Sequence, residues 1–82
     1  PKLAWARQHL AESPLEVNTA SRRLLLRIPG IGPRLAERLL EARQKGRVRD
    51  VADLRRLGIA AERAAPFVLL DGRRPARQLQ LL

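Results

Sequence analysis

Apolar residues recur at helical spacing along most of this chain, and short segments bearing glycine or proline cut the pattern into helices. Leu3, Ala6 and Leu10 stand at i, i+3 and i+7, which predicts a helix over 2–11 that ends at Ser13-Pro14. Trp5 lies off that stripe and is expected to pack on a neighbouring element or on a partner domain. Leu24, Leu25 and Ile28 form a second apolar face, with Thr19 or Ser21 as cap and Pro29 as stop. Pro33 suits the first turn of the next helix, where its missing N–H is no loss. Along that helix Leu35, Ala36, Leu39 and Leu40 make the buried stripe, and Arg34, Arg38, Glu41 and Lys45 the opposite face, up to a stop at Gly46. Asp50 opens a further helix with Asp53 three residues on, an acidic variant of the capping box, and Val51, Leu54 and Leu57 give it a buried edge. Gly58-Ile59 turns the chain into a last helix beginning near Ala60, which Pro66 shortens or kinks.

No stretch alternates β-branched or aromatic residues with polar ones, so the expected fold class is all-α. The pattern also repeats. Ile28-Pro29-Gly30-Ile31-Gly32 joins two helices, and Leu57-Gly58-Ile59-Ala60 joins the next two. The second copy has Ala60 in place of the second glycine and is read as degenerate, on the expectation that this position needs positive φ. Two hairpins packed by pseudo-twofold symmetry would bury both leucine stripes. The expected architecture is a compact bundle of two such hairpins with an extra N-terminal helix. It divides into residues 1–16 (helix and linker), 17–70 (the double hairpin) and 71–82 (a basic, flexible tail).

Composition narrows the chemistry. At 82 residues there is room for one small core and for no separate catalytic domain. There is no Cys, which excludes disulfides, thiolate metal sites and iron–sulfur chemistry within the chain. No apolar run approaches the ~18 residues of a membrane span. The chain opens Pro1-Lys2 without an initiator Met and reads as a piece of a longer protein. The formal net charge is +9. Nucleic acid, an anionic lipid surface and a merely soluble, highly charged exterior all account for that excess; the lack of large aromatics weighs against lipid.

The glycine hairpin is where charge and backbone meet. A tight turn into a helix leaves unpaired N–H groups pointing outward, where they attract phosphate oxygens. Arg34, Arg38 and Lys45 are the side chains expected to add phosphate contacts; a solvated face paired with Glu37 and Glu41 accounts for the same residues without DNA. His9 stands alone, with no metal-ligand partner at useful spacing. No nucleophile–base or paired-carboxylate constellation exists, so no catalytic residue is assigned and the domain is expected not to be an enzyme.

The two glycines, the flanking proline and the apolar spacing on both sides resemble the helix-hairpin-helix family in its tandem form. Val17-Asn18-Thr19-Ala20-Ser21, the hairpin, Ala36-Glu37-Arg38, Ala42-Arg43 and Asp53-Leu54 are similar to competence-type DNA-uptake receptors over roughly residues 17–70. Pro1-Lys2-Leu3-Ala4-Trp5-Ala6 and Pro66-Phe67 resemble the C-terminal region of radical-SAM proteins associated with DNA modification or repair and with uracil-DNA-glycosylase-like partners. The second resemblance implies a parent with an N-terminal iron–sulfur barrel. The family resemblance implies that phosphates are held by the backbone N–H groups of Gly30, Gly32 and Leu35. It also implies a possible monovalent cation on the carbonyls of Leu26, Ile28 and Ile31, with no other cofactor. The tail Gln78-Leu79-Gln80-Leu81-Leu82 is similar to the bacterial sliding-clamp-binding pentapeptide, with Gln78, Leu79, Leu81 and Leu82 as its contacts; Gln80 and Leu82 depart from the pattern, and an ordinary tail of a Leu-rich chain is the favoured reading of the same residues.

Two functions stay open on the sequence. One is a sequence-nonspecific DNA-binding module of a larger repair or modification protein, cytoplasmic and associated with the nucleoid. The other is a docking domain that contacts the rest of the parent chain and not DNA.

Overall fold

The computed structural model describes residues 1–75. Helix α1 (Lys2–His9) is followed by strand β1 (Leu15–Glu16), α2 (Arg22–Leu25) and the long α3 (Pro33–Lys45). Then come α4 (Val51–Arg56), α5 (Ala61–Ala64), a 3-10 turn (Ala65–Phe67) and strand β2 (Val68–Leu69). The caps are those the side chains call for. Ser21, not Thr19, opens α2, its Oγ accepting from the Leu24 amide at 3.2 Å. Asp50 opens α4 and accepts from the Asp53 amide at 3.0 Å, while the Asp53 carboxylate accepts from the Arg49 amide at 2.9 Å. This closes the acidic capping box one residue ahead of the cap.

One core unites these elements. Leu25, Ile28, Ile31, Ala36, Leu39, Leu54, Ile59, Ala61, Ala64 and Phe67 from the two hairpins meet Ala6 and Leu10 of the N-terminal segment. Two leucines expected inside are outside: Leu3 is 44 % and Leu24 39 % exposed. Helix α2 is a single turn and continues in i→i+3 bonds, Arg27 to Leu24 and Ile28 to Leu25. That spacing points Leu25 and Ile28 inward together and turns Leu24 away. Trp5 packs on a neighbouring element, half-buried against the core, with the Arg27 guanidinium 4.6 Å from its ring centroid. His9 is exposed and lies against the same indole, centroids 4.5 Å apart.

The all-α expectation holds for the helices and misses a small sheet. β1 and β2 pair in parallel, Leu15 with Val68 and Glu16 with Leu69, so the start of the first hairpin unit is tied to the end of the second. Such a short pairing has no periodic signature in sequence. The chain also stays anchored beyond residue 70, where a flexible tail was expected to begin. Asp71 and Gly72 turn with positive φ (55° and 83°), and Leu70 and Arg73 exchange backbone hydrogen bonds across them. The Glu16 carboxylate accepts from the Asp71 and Gly72 amides at 3.2 and 2.6 Å, and Arg74 donates to the Ala11 carbonyl at 3.1 Å.

The hairpins answer each other across the core. The same sequence interval separates Gly30 from Gly58, Ile31 from Ile59, Leu35 from Arg63 and Ala36 from Ala64. A Cβ on Gly30 would lie 3.4 Å from the Arg63 Cβ, and one on Gly58 would lie 3.4 Å from a Leu35 methyl. These are equivalent contacts, each hairpin glycine facing the opposite hairpin's second helix.

Candidate nucleic-acid interface

Helix α3 begins at Gly32, the N-cap, with Pro33 at its first position. The two hairpin glycines do different work. Gly30 has φ +92° and packs closely, a Cβ there lying 3.3 Å from the Ala60 carbonyl oxygen. Its need for glycine is internal to the fold. Gly32 has φ −97°, a value any residue adopts, and among the described residues a Cβ on it would meet nothing within 4 Å. Nothing among the described residues requires glycine there. A bare α-carbon at Gly32 leaves the amides that follow accessible to a large ligand.

Ile31 donates to the Ile28 carbonyl at 3.1 Å and Ala36 to the Gly32 carbonyl at 2.8 Å. Among the described residues, the amides of Gly30, Gly32, Arg34 and Leu35 find no acceptor. The three expected donors are thus brought to one turn, with the Arg34 amide as a fourth. Thirteen residues of α3 stand behind them. A helix of that length presents a positive end that favours anions.

The charged side chains do not all gather at this turn. Arg34 and Arg38 line a shallow groove along α3 with Arg22, Pro33, Glu37 and Glu41. Glu37 is ion-paired with Arg22 of α2, which lines the same groove, and among the described residues no ion pair joins Glu37 to Arg34 or Arg38. Arg38 reaches toward the second hairpin, its terminal nitrogen 3.5 Å from where a Gly58 side chain would begin. Lys45 ends the helix roughly 16 Å along the axis from Arg34, at about 1.5 Å per residue, away from the clamp. Arg43 is half-buried and structural, donating to the Val17 and Ala20 carbonyls at 3.0 and 2.7 Å.

Two cations at the hairpin carry no sequence signal, because long-range folding alone brings them there. Lys2 Nζ donates to the Ile31 carbonyl at 2.6 Å. Arg63 stands beside Gly30 on α5. Burial first, and then repulsion from Arg63, hold the Lys2 ammonium below its ordinary pKa of 10.5. The Ile31 carbonyl is one of those expected to hold a monovalent cation, and the fit is poor. An ion bound there would share its ligand with a fixed positive charge, and like charges ~4 Å apart repel by about 1–4 kcal/mol between water and a protein surface. No group of acidic or His side chains among the described residues forms a metal site, and none of their helices is long and apolar enough to cross a membrane.

A family model described as the helix-hairpin-helix motif matches residues 11–68. The chain belongs to the helix-hairpin-helix family. The match spans both hairpins and stops at β2, so the second hairpin is part of the family unit despite Ala60. The second copy does not lack a positive-φ glycine, contrary to the expectation that made it degenerate. Its positive-φ glycine, Gly58 at +93°, is retained, and Ala60 occupies the place of Gly32 at φ −71°, where alanine is unstrained. What Ala60 alters is access: its methyl stands where the first hairpin is bare. No curated protein and no solved structure matches the chain significantly. Helix-hairpin-helix motifs are commonly nucleic-acid-binding elements, and that is the general function the family supports here. The pentapeptide Gln78–Leu82 lies outside the described residues.

Proposed function

We propose that this domain grips the phosphate backbone of duplex DNA without reading sequence, through the amides of Gly30, Gly32 and Leu35 and the arginines of α3. The observation that carries the reading is Gly32: a glycine whose Cβ would meet nothing among the described residues, capping a long helix whose first amides lack partners among them. Backbone amides and arginines on phosphate carry no base information, so binding is nonspecific. With no catalytic constellation in the chain, the domain serves an attached activity by positioning it on DNA. A radical-SAM modification or repair protein of the cytoplasm and nucleoid is the parent that the resemblance of Pro1–Ala6 and Pro66-Phe67 favours. The test is a salt titration of duplex and single-stranded DNA binding on several unrelated sequences. Affinity that falls steeply with salt and is equal across sequences supports the reading; discrimination among sequences opposes it.

A docking role has its own support in Leu3 and Leu24, the large apolar side chains left exposed among the described residues. In that reading they cover part of the parent chain, while Gln78, Leu79, Leu81 and Leu82 engage a sliding clamp. Deleting Gln78–Leu82 then abolishes binding to a bacterial clamp and leaves duplex binding intact. A titration showing no clamp contact in the intact chain removes the clamp as a partner.

A further inference from the structure

Among the described residues, the ammonium of Lys2 is the one side-chain charge hydrogen-bonded to the backbone of the hairpin turn. It reaches the Ile31 carbonyl from a different helix, 29 positions away in sequence, at 2.6 Å. Ile31 lies between the two glycines, and its peptide with Gly32 is planar and trans, so the Ile31 oxygen and the Gly32 N–H point in opposite directions. Whatever holds the oxygen also sets the direction of the amide. A charged donor on the oxygen further polarises the peptide and strengthens the amide at its other end as a donor.

We propose that Lys2 is the hairpin's built-in cation: its ammonium takes the Ile31 carbonyl in place of a free monovalent ion and fixes the Ile31–Gly32 peptide with the Gly32 amide facing outward. An ammonium and a potassium ion are close in size and both seek carbonyl oxygens. The tethered group needs no ion from solution, and its charge, with that of Arg63, disfavours one. Lys2 is a positioning residue in this account, acting on DNA through Gly32. It also makes α1 a working part of the hairpin and not an appendage. For its effect on DNA the inference rests on the phosphate-clamp reading; for the identity of the cation it does not.

The experiment compares the 82-residue chain with its Lys2→Met variant, which keeps the apolar stem and removes the charge. Each is studied at fixed ionic strength in potassium, ammonium and tetramethylammonium chloride, the last being too large to enter. Thermal unfolding without DNA and duplex affinity are both read. The expected result is an unmodified chain indifferent to the cation. Lys2→Met should melt lower and bind about tenfold more weakly in tetramethylammonium, the loss of one charge-assisted hydrogen bond, and recover in potassium or ammonium. An unmodified chain as cation-selective as the variant overturns the proposal, and so does a variant equal to it in all salts. If the melting pattern appears and neither protein binds duplex DNA, Lys2 keeps its place and the phosphate-clamp reading fails. If the unmodified chain binds duplex and neither measurement shows rescue of the variant, the reverse holds.

Discussion

Gly30 and Gly32 look alike in sequence, but their substitutions are expected to diverge. Alanine at Gly30 forces a left-handed backbone, at a cost of roughly 1–2 kcal/mol, and crowds the Ala60 carbonyl. Gly30→Ala should therefore lower the melting temperature by several degrees, and loss of binding there says little about phosphate. Gly32→Val costs about 1 kcal/mol or less as a poorer N-cap, since its side chain enters open space. It should leave the helical signal intact and weaken duplex binding about tenfold, by obstructing a charge-assisted contact. Circular dichroism and fluorescence anisotropy on both variants check the pair; a well-folded Gly32→Val that binds at full strength argues against the clamp. Arg34→Ala and Arg38→Ala should each flatten the log–log salt slope by up to about 0.9, uniformly across sequences. Unchanged slopes in both would return these arginines to solvent.

Among the elements, α3 and α5 begin alike and differ in length. Thirteen residues follow Gly32, whereas α5 has four before the 3-10 turn at Pro66. The short helix lacks the aligned peptides that make an anion-attracting end. Ala60→Gly should accordingly leave duplex binding unchanged and stability equal or slightly higher, since glycine outranks alanine as an N-cap. A several-fold gain in affinity would instead reveal a second clamp blocked by one methyl. Much of this level was legible in the sequence. Ser21, Asp50 and Asp53 cap through local hydrogen bonds, and Pro33 and Gly58 fix local dihedrals, so their signals lie within a few residues. Leu24 was misplaced because single-turn α2 runs on in 3-10 geometry, which a helical period does not anticipate.

Over the whole molecule the decisive contacts are long-range, and these the sequence could not announce. Lys2 on Ile31, Arg27 over Trp5, Asn18 bridging both backbone groups of Val48, and Glu16 on the Asp71-Gly72 turn each join distant segments. Glu16 gives a measurable consequence. Burial raises its pKa, but hydrogen bonds from the Asn18 side chain and from the amides of Asn18, Gly72 and Asp71 outweigh it, leaving the carboxyl below its ordinary 4.5. A carboxyl depressed by folding stabilises the native state above its ordinary pKa, and that contribution fades as pH falls through the folded value. Stability should decline from about pH 4.5 downward, and Glu16→Gln should flatten that decline in thermal melts. An equally steep decline in Glu16→Gln would assign it to other carboxyls, such as Asp53, which the Arg49 amide and Arg56 also hold low. The same long-range ties put one basic hairpin on a rigid base. The most direct test of its role is the salt dependence of duplex binding measured side by side for the unmodified chain and Gly32→Val. A steep slope should persist in both, because the arginines remain, with the variant weaker by about tenfold at every salt concentration. Superimposable curves would contradict the phosphate clamp.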